Sequence, residues 1–334
     1  MDKTNLEKSW QPSASFERLR QRSELLRGIR NYFHAEDVME VETPMLSRSA
    51  TVDPHIDSFQ ASFCPLGTDI QETLYLHTSP EFPMKRLLAA GCEDIYYLGR
   101  VFRNGEAGGR HNPEFTMLEW YRLGIDHHQL MDDVTGLIRS VTPFKEAGRY
   151  SYKKLFVEKL GVDPHEASDQ ELEALTQEHV DSSLAGLARN DYLDLLFSNC
   201  IEPSLGGRTA EGLEGVYVYD YPASMSALSR IQENSEGQKV SARFELFING
   251  VELANGYHEL ADGQEQQQRF ENDQAERKEL GKPVYPYDDN LVAGLKEGSF
   301  PDCAGVAMGI DRLHMLMAQT QSIKEVIPFD FFRA

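Results

Sequence analysis

The stretch FRNGEAGGRHNPEFTMLEWY, residues 102–121, decides how this chain is read. Its second half belongs to a β-rich, aromatic run from Glu114 to Leu123, and an equally β-rich run, DIYYLGRVFR, ends at Arg103. Two such runs joined by a Gly- and Asn-containing loop predict a long hairpin. Arg103 closes the incoming strand, where a guanidinium can grip a phosphate through two parallel hydrogen bonds. Phe115, two residues past Pro113, offers a flat face on which a base can stack, and Arg110 and His111 add positive character.

Outward from the hairpin, Phe16, Leu19, Leu25, Leu26, Ile29 and Phe33 recur at helical spacing and predict an amphipathic helix over 15–35, with Ser15 as a candidate N-cap. VMEVETPML alternates apolar and polar residues and reads as a strand end stopping at Pro44. Thr73 to Leu88 reads as a short strand, then Ser79-Pro80-Glu81 opening a helix. From about 126 to 215 the pattern turns helical and polar, as in HHQLMDDVTGLIRSV, and predicts a helical insertion. Strands resume near Val216, and CAGVAMGIDRLHMLMA is a glycine-punctuated strand running into a helix. Without repeats or a low-complexity linker, residues 1–334 read as one α+β domain, an antiparallel sheet flanked by helices.

Apolar residues make up 40% and charged residues 26%, the balance of a soluble globular enzyme. The polar start, MDKTNLEKSW, has no apolar secretion core, and no apolar run approaches the roughly 18 residues of a membrane span. Both point to a cytoplasmic protein. Acidic residues number 54 against 33 basic ones, a net charge of −21, which weighs against a large nucleic-acid partner. Cys64, Cys92, Cys200 and Cys303 never form C-x-x-C and read as reduced buried thiols. His127-His128 has no carboxylate in helical register with it and reads as a solvated pair.

There is no P-loop, no G-x-G-x-x-G after a strand, no G-x-S-x-G and no H-E-x-x-H. In FELFINGVELAN, Asn249-Gly250 predicts a type I′ turn that sets Ile248 against Val251, Phe247 against Glu252 and Glu245 against Ala254. Alternation then puts Glu245 and Glu252 on one face as diagonal neighbours. With no Lys or Arg between 244 and 254, a Mg²⁺ held by both carboxylates would relieve their repulsion, and two solvated surface glutamates remain the other reading. In GVAMGIDR, Gly305 and Gly309 allow a ligand to approach the backbone, and Arg312 falls in the first turn of the following helix.

In this order and spacing, these segments resemble the catalytic domain of class II aminoacyl-tRNA synthetases, most specifically the lysyl subgroup. The helix and strand ending at Pro44 look like the family's dimer-forming first motif, FRNGEAGGRHNPEFTMLEWY like its second and GVAMGIDR like its third. The resemblance implies that Arg103 holds the ATP α-phosphate, Asn112 and Phe115 the adenine, and Arg312 the γ-phosphate. It adds Asn104, Gly105, Glu106, Leu253 and Gly309 to the ATP site, and implies that Glu245 and Glu252 carry Mg²⁺. For a substrate with two ammonium groups, Ser79, Pro80 and Glu81 of TSPEF match the α-amino end. Glu119, Tyr121 and Glu259 match the distal end.

The catalytic pattern begins almost at Met1, which leaves no room here for the anticodon-reading barrel of lysyl-tRNA synthetases. In this the chain looks like the elongation factor P β-lysine ligases, truncated relatives that activate (R)-β-lysine with ATP and transfer it to a lysine of elongation factor P. That resemblance implies a homodimer, elongation factor P as partner and tRNA as an unlikely one. A stand-alone synthetase charging tRNA and a non-catalytic paralogue are the alternatives. Ala307 stands where lysyl synthetases usually have glycine, and would disfavour α-lysine. Gly105 stands where the second motif usually has glutamate, with Glu106 following.

Overall fold

The computed structural model describes residues 10–334, so the polar stretch over residues 1–9 lies outside the described residues. The chain divides into two compact units. The first holds the described residues up to Leu123, Ala261–Asp302 and Ala307–Ala334; the second holds Gly124–Leu260 and Cys303–Val306.

The first unit opens on helix α1 (Phe16–Ala35), whose N-cap Ser15 accepts from the Arg18 N–H at 3.3 Å. Leu25, Ile29 and Phe33 form its buried stripe, while Phe16 stays exposed in the first turn. Short strands follow: β1 (Met39–Glu40), β2 (Leu46–Ser47), β3 (Gln60–Phe63) and β4 (Glu72–Leu76). β4 lies between β2 and β3 in a small sheet. Helix α2 (Glu81–Ala89) leads to the long hairpin, β5 (Ile95–Phe102) and β6 (Glu114–Leu123). Its antiparallel register pairs Val101 with Phe115 and Tyr97 with Glu119, as the aromatic runs predict. β1 pairs with β5 in parallel, so the sheet is mixed. Phe33 stacks on Tyr96 with centroids 4.3 Å apart and meets Trp120 edge-on, which seats α1 on the hairpin.

The second unit begins with α3 (His127–Val141). The segment read as a helical insertion continues with β7 (Phe144–Ser151), then α4 (Tyr152–Leu160), α5 (Asp169–His179) and α6 (Arg189–Leu196). β8 (Gly207–Thr209), β9 (Gly212–Pro222), β10 (Ile231–Glu233), β11 (Lys239–Ile248) and β12 (Glu252–His258) complete it. β7 is a correction: FKEAGRYS carries no apolar alternation, yet it pairs in parallel with β9. Tyr152 stacks on Phe156 and Phe197, and Tyr221 and Phe247 pack into the same cluster. That cluster orders the back of the β11–β12 hairpin.

The chain returns to the first unit with α7 (Gly263–Glu279) and α8 (Asp289–Lys296). Strand β13 (Cys303–Gly309) gives its first four residues to the second unit, and the rest, with α9 (Ile310–Ala318), to the first. Of the cysteines only Cys303 is buried; Cys64 is exposed, which corrects the reading of four buried thiols. Among the described residues no helix is long and apolar enough to cross a membrane.

One buried ion pair locks the first, second and third motifs of the first unit together. Arg22 on α1 donates to Asp311 Oδ1 at 2.5 Å and to Thr116 Oγ1 at 2.6 Å, while Asp311 Oδ2 accepts from the Thr116 N–H at 2.8 Å. Arg22→Met should cost about 3–5 kcal/mol, because Asp311 is left as an unpaired buried charge. The added Asp311→Leu change should recover part of that loss, read as the denaturant midpoint of the single and double variants.

Beside this pair, burial, reinforced by the Arg22 guanidinium, pushes His314 down to about 4. The folded state refuses a proton that the unfolded chain accepts near 6.5, so stability falls as pH drops from there towards 4. A shift of that size amounts to about 3 kcal/mol. Unfolding midpoints of His314→Asn between pH 7 and pH 4.5 should show a flatter pH dependence than the parent.

Candidate functional site

In the first unit, the β5–β6 loop assembles a cationic and aromatic patch. Arg103 leaves the end of β5 with its N–H bonded to the Pro113 carbonyl at 2.8 Å, and its guanidinium lies 5.3 Å from the centre of the Phe115 ring. Its Nη1 lies 3.6 Å from Glu106 Oε1, and its buried Nε has no hydrogen-bond partner among the described residues. Gly105 sits at φ +87°, a left-handed conformation that strains any side chain. The carboxylate beside Arg103 in this loop belongs to Glu106, one residue later. The neighbouring Asn104 holds the loop base, its N–H bonded to the Asp57 carbonyl at 2.8 Å.

Arg312, in the first turn of α9, donates to His111 Nε2 at 2.9 Å. Burial, then the Arg312 charge, lowers the His111 pKa, which keeps the ring an acceptor. A methyl group at Gly309 would rest 3.8 Å from the Arg312 side chain, an ordinary contact, so this neighbour does not require the glycine. Arg110 donates to Gln321 Oε1 at 2.8 Å and ties the loop to the segment after α9.

Asn112 is tied into the loop through its own amide. Its Nδ2 donates to the Glu114 carbonyl at 2.7 Å and its Oδ1 accepts from the Phe331 N–H at 2.9 Å. One end of the amide thus braces the start of β6 and the other holds the C-terminal segment, each with hydrogen-bonding capacity left over.

Two further acidic positions lie in the same unit. Glu81 is the first residue of α2, after Ser79-Pro80, and its N–H bonds to Ser79 Oγ at 3.3 Å. Lys85 Nζ, one turn on and 1% exposed, donates to Glu81 Oε1 at 2.7 Å. The sequence reading missed this internal cation, although the i,i+4 spacing of EFPMK signals it. On β6, the Tyr121 hydroxyl donates to Glu119 Oε1 at 2.8 Å. Glu119 is buried, and with Glu42 it adds to burial in pushing the facing Tyr97 phenol up to about 12. Ala307 is partly buried on β13, whose third-motif half also holds Gly309.

In the second unit, the β11–β12 hairpin turns as expected: Asn249 and Gly250 have φ +56° and +62°, and Ile248 and Val251 exchange hydrogen bonds of 3.0 and 3.1 Å. Phe247 faces Glu252, but a bulge follows, so Glu245 faces Asn255 rather than Ala254. Leu253, the residue without a partner in that register, is buried. The Glu252 charge is among the influences that raise the Glu245 pKa.

A cation already stands beside Glu245. Arg243, one residue before the span searched in sequence, ion-pairs with Glu245, donates to Asn255 Oδ1 at 3.1 Å and lies 4.8 Å from the Tyr221 ring centre. The Tyr221 hydroxyl donates to Glu245 Oε2 at 2.7 Å. Burial pushes the Glu245 carboxyl up to about 7 against the pull of Arg243. At the end of β12, Glu259 is 1% exposed, with its N–H bonded to the Cys303 carbonyl at 3.0 Å and its carbonyl accepting from Arg230 Nε at 3.2 Å.

His127 is not part of a solvated pair. It is 1% exposed, with Nε2 3.5 Å from Asp220 Oδ1. The carboxylate comes from β9, far along the chain, where no helical register in the sequence could reveal it.

Residues 9–332 match the family described as tRNA synthetases class II (D, K and N). A Vibrio cholerae protein named elongation factor P–(R)-β-lysine ligase is 46% identical over 330 residues, covering 97% of this chain and 98% of its own. A Pseudoalteromonas translucida protein of the same name is 46% identical over the same shares, and one from Vibrio parahaemolyticus is 45% identical over 98% and 99%.

Proposed function

The chain belongs to the class II tRNA synthetases of the D, K and N group, and from that premise we propose that it is an ATP-dependent ligase. It joins (R)-β-lysine to the ε-amine of a lysine on elongation factor P, releasing AMP and pyrophosphate. The match from end to end with relatives named for this reaction carries the reading. The retained Arg103, Arg312, Glu245 and Glu252 weigh against a non-catalytic paralogue.

In the first step a carboxylate oxygen of the amino acid attacks the α-phosphorus and pyrophosphate leaves. No protein nucleophile is needed; the protein must position the reactants and meet the developing charge. Arg103 forks onto the α-phosphate, with Phe115 beneath its guanidinium and under the adenine. Arg312 turns from His111 to the γ-phosphate. In the second step the acceptor amine attacks the carbonyl carbon of the adenylate, loses a proton, and AMP departs.

Glu245, Glu252 and the Asn255 amide oxygen are hard donors that suit Mg²⁺. Among the described residues each Glu245 oxygen has one bond, from Tyr221 or Arg243, and keeps further lone pairs. Arg243 offsets one of the two carboxylates, which suits an ion that arrives with phosphate oxygens. Bound there, Mg²⁺ would neutralise charge on the phosphates.

For the amino acid, Glu81 takes the α- or β-amino end, sharing its carboxylate with Lys85, and Glu119, Tyr121 and Glu259 take the distal ammonium. The first-motif elements, α1 and β1, form the face of a homodimer, and the protein acts in the cytoplasm. Isotope exchange between ATP and pyrophosphate should depend on β-lysine, and labelled β-lysine should then pass to elongation factor P. Label on tRNA instead would replace this reading with the stand-alone synthetase.

Ala307 disfavours α-lysine through one methyl group at the pocket floor. Ala307→Gly should raise the α-lysine exchange rate relative to β-lysine by about tenfold, the scale of one methylene in a pocket. An unchanged ratio would remove the idea.

A further inference from the structure

The second unit holds a cluster of side chains that the ligase chemistry leaves unused. One ring nitrogen each from His127 and His128 and a carboxylate oxygen of Asp220 all lie within 4.8 Å of one another. His127 is 1% exposed, and neither of its ring nitrogens has a hydrogen-bond partner among the described residues. Asp220 Oδ1 is likewise buried without one. Buried polar atoms left in that state are costly, and two of them stand 3.5 Å apart without forming a hydrogen bond.

The backbone brings these groups together at some cost. Asp220 has φ +56°, uncommon outside glycine, and sits on β9 opposite the register shift between Ser241 and Phe244. Bulges re-aim side chains, and here the carboxylate is turned toward the first turn of α3. Asp126, the N-cap of α3, accepts from the Gln129 N–H at 2.9 Å, which fixes that turn.

We propose that His127, His128 and Asp220 form a binding site for a zinc-class divalent cation. Two imidazoles and a carboxylate are a borderline donor set that suits zinc and is too nitrogen-rich for Mg²⁺ or Ca²⁺. Donors about 2.0–2.2 Å from a tetrahedral zinc stand about 3.3 Å apart, close to the 3.5 Å between His127 and Asp220. The fourth position is left for water or for His165, whose Nε2 is also buried without a partner and whose ring feels the Asp220 charge. Asp126 and Asp220 face the pair; Arg149 is the opposing cation, itself paired with Glu146 and Asp132. The ion would pin α3 to β9, a structural role.

The test uses the full chain, loaded with zinc sulfate, passed through a desalting column and analysed for metal by mass spectrometry. About one zinc per chain is expected in the parent and less than a tenth of that in His128→Ala and Asp220→Asn. These variants should keep β-lysine-dependent pyrophosphate exchange, which reports that they fold. Equal zinc in parent and variants, or none in the parent, overturns the site. The cobalt-loaded parent gives a second reading that needs no substitution: intense visible bands of a tetrahedral ion support it, and the pale spectrum of hydrated cobalt overturns it.

Discussion

Arg103→Ala should lower β-lysine-dependent ATP–pyrophosphate exchange about a thousandfold while barely moving the unfolding midpoint. The two expectations have separate causes. In the folded chain Arg103 makes one partly exposed ion pair, 3.6 Å from Glu106, and one cation–π contact at 5.3 Å. Each is worth about 1 kcal/mol or less, so the midpoint should move by less than about 3 °C. At the α-phosphorus, by contrast, charge builds on non-bridging oxygens during the attack, and a positioned guanidinium meets it only there. Losing a single preorganised donor costs about a hundred- to a thousandfold, and losing an arginine that stabilises a phosphoryl transition state can cost more. Arg103→Lys restores charge without the planar fork and should recover only part of the rate. Exchange within about tenfold of the parent in Arg103→Ala would place the α-phosphate elsewhere. The nucleotide half of the reading would then have to be rebuilt.

What could be read from the sequence alone is what is set locally. The β5–β6 hairpin follows from two aromatic runs around one loop, and the β11–β12 turn follows from Asn249-Gly250, whose backbone both residues can adopt. The bulge in that second hairpin was not legible, because one extra residue leaves the apolar alternation intact on either side. Glu245 therefore lies opposite Asn255 instead of Ala254. Arg243 lies one residue outside the span 244–254, where the sequence holds no basic residue, and its pairing with Glu245 is set by the fold. The remaining misses join residues far apart in the chain. β7 is specified by pairing with β9, and His127 meets a carboxylate from another strand. Local propensity carries no trace of such partners.

The strongest test of the amino-acid half is Glu259→Gln. Glutamine keeps the shape of the side chain and removes only its charge, at a position 1% exposed where the backbone is fixed by the Cys303 and Arg230 bonds. A distal ammonium leaving water for this slot needs an anionic partner, because an unmatched buried charge is costly. Truncating one member of such a pair costs about 2–5 kcal/mol, so kcat/KM for β-lysine in the exchange assay should fall by at least thirtyfold, and towards a thousandfold. A β-amino acid of the same length but without the distal amine gives the contrast. It gains nothing from the Glu259 charge, so its slow exchange should stay level in the variant. Preference between the two substrates, more than the absolute rate, is therefore the quantity that must collapse. If both rates fall together, Glu259 serves the fold at the end of β12 and recognition of the distal ammonium passes to Glu119 and Tyr121, where Glu119→Gln puts the same question to β6.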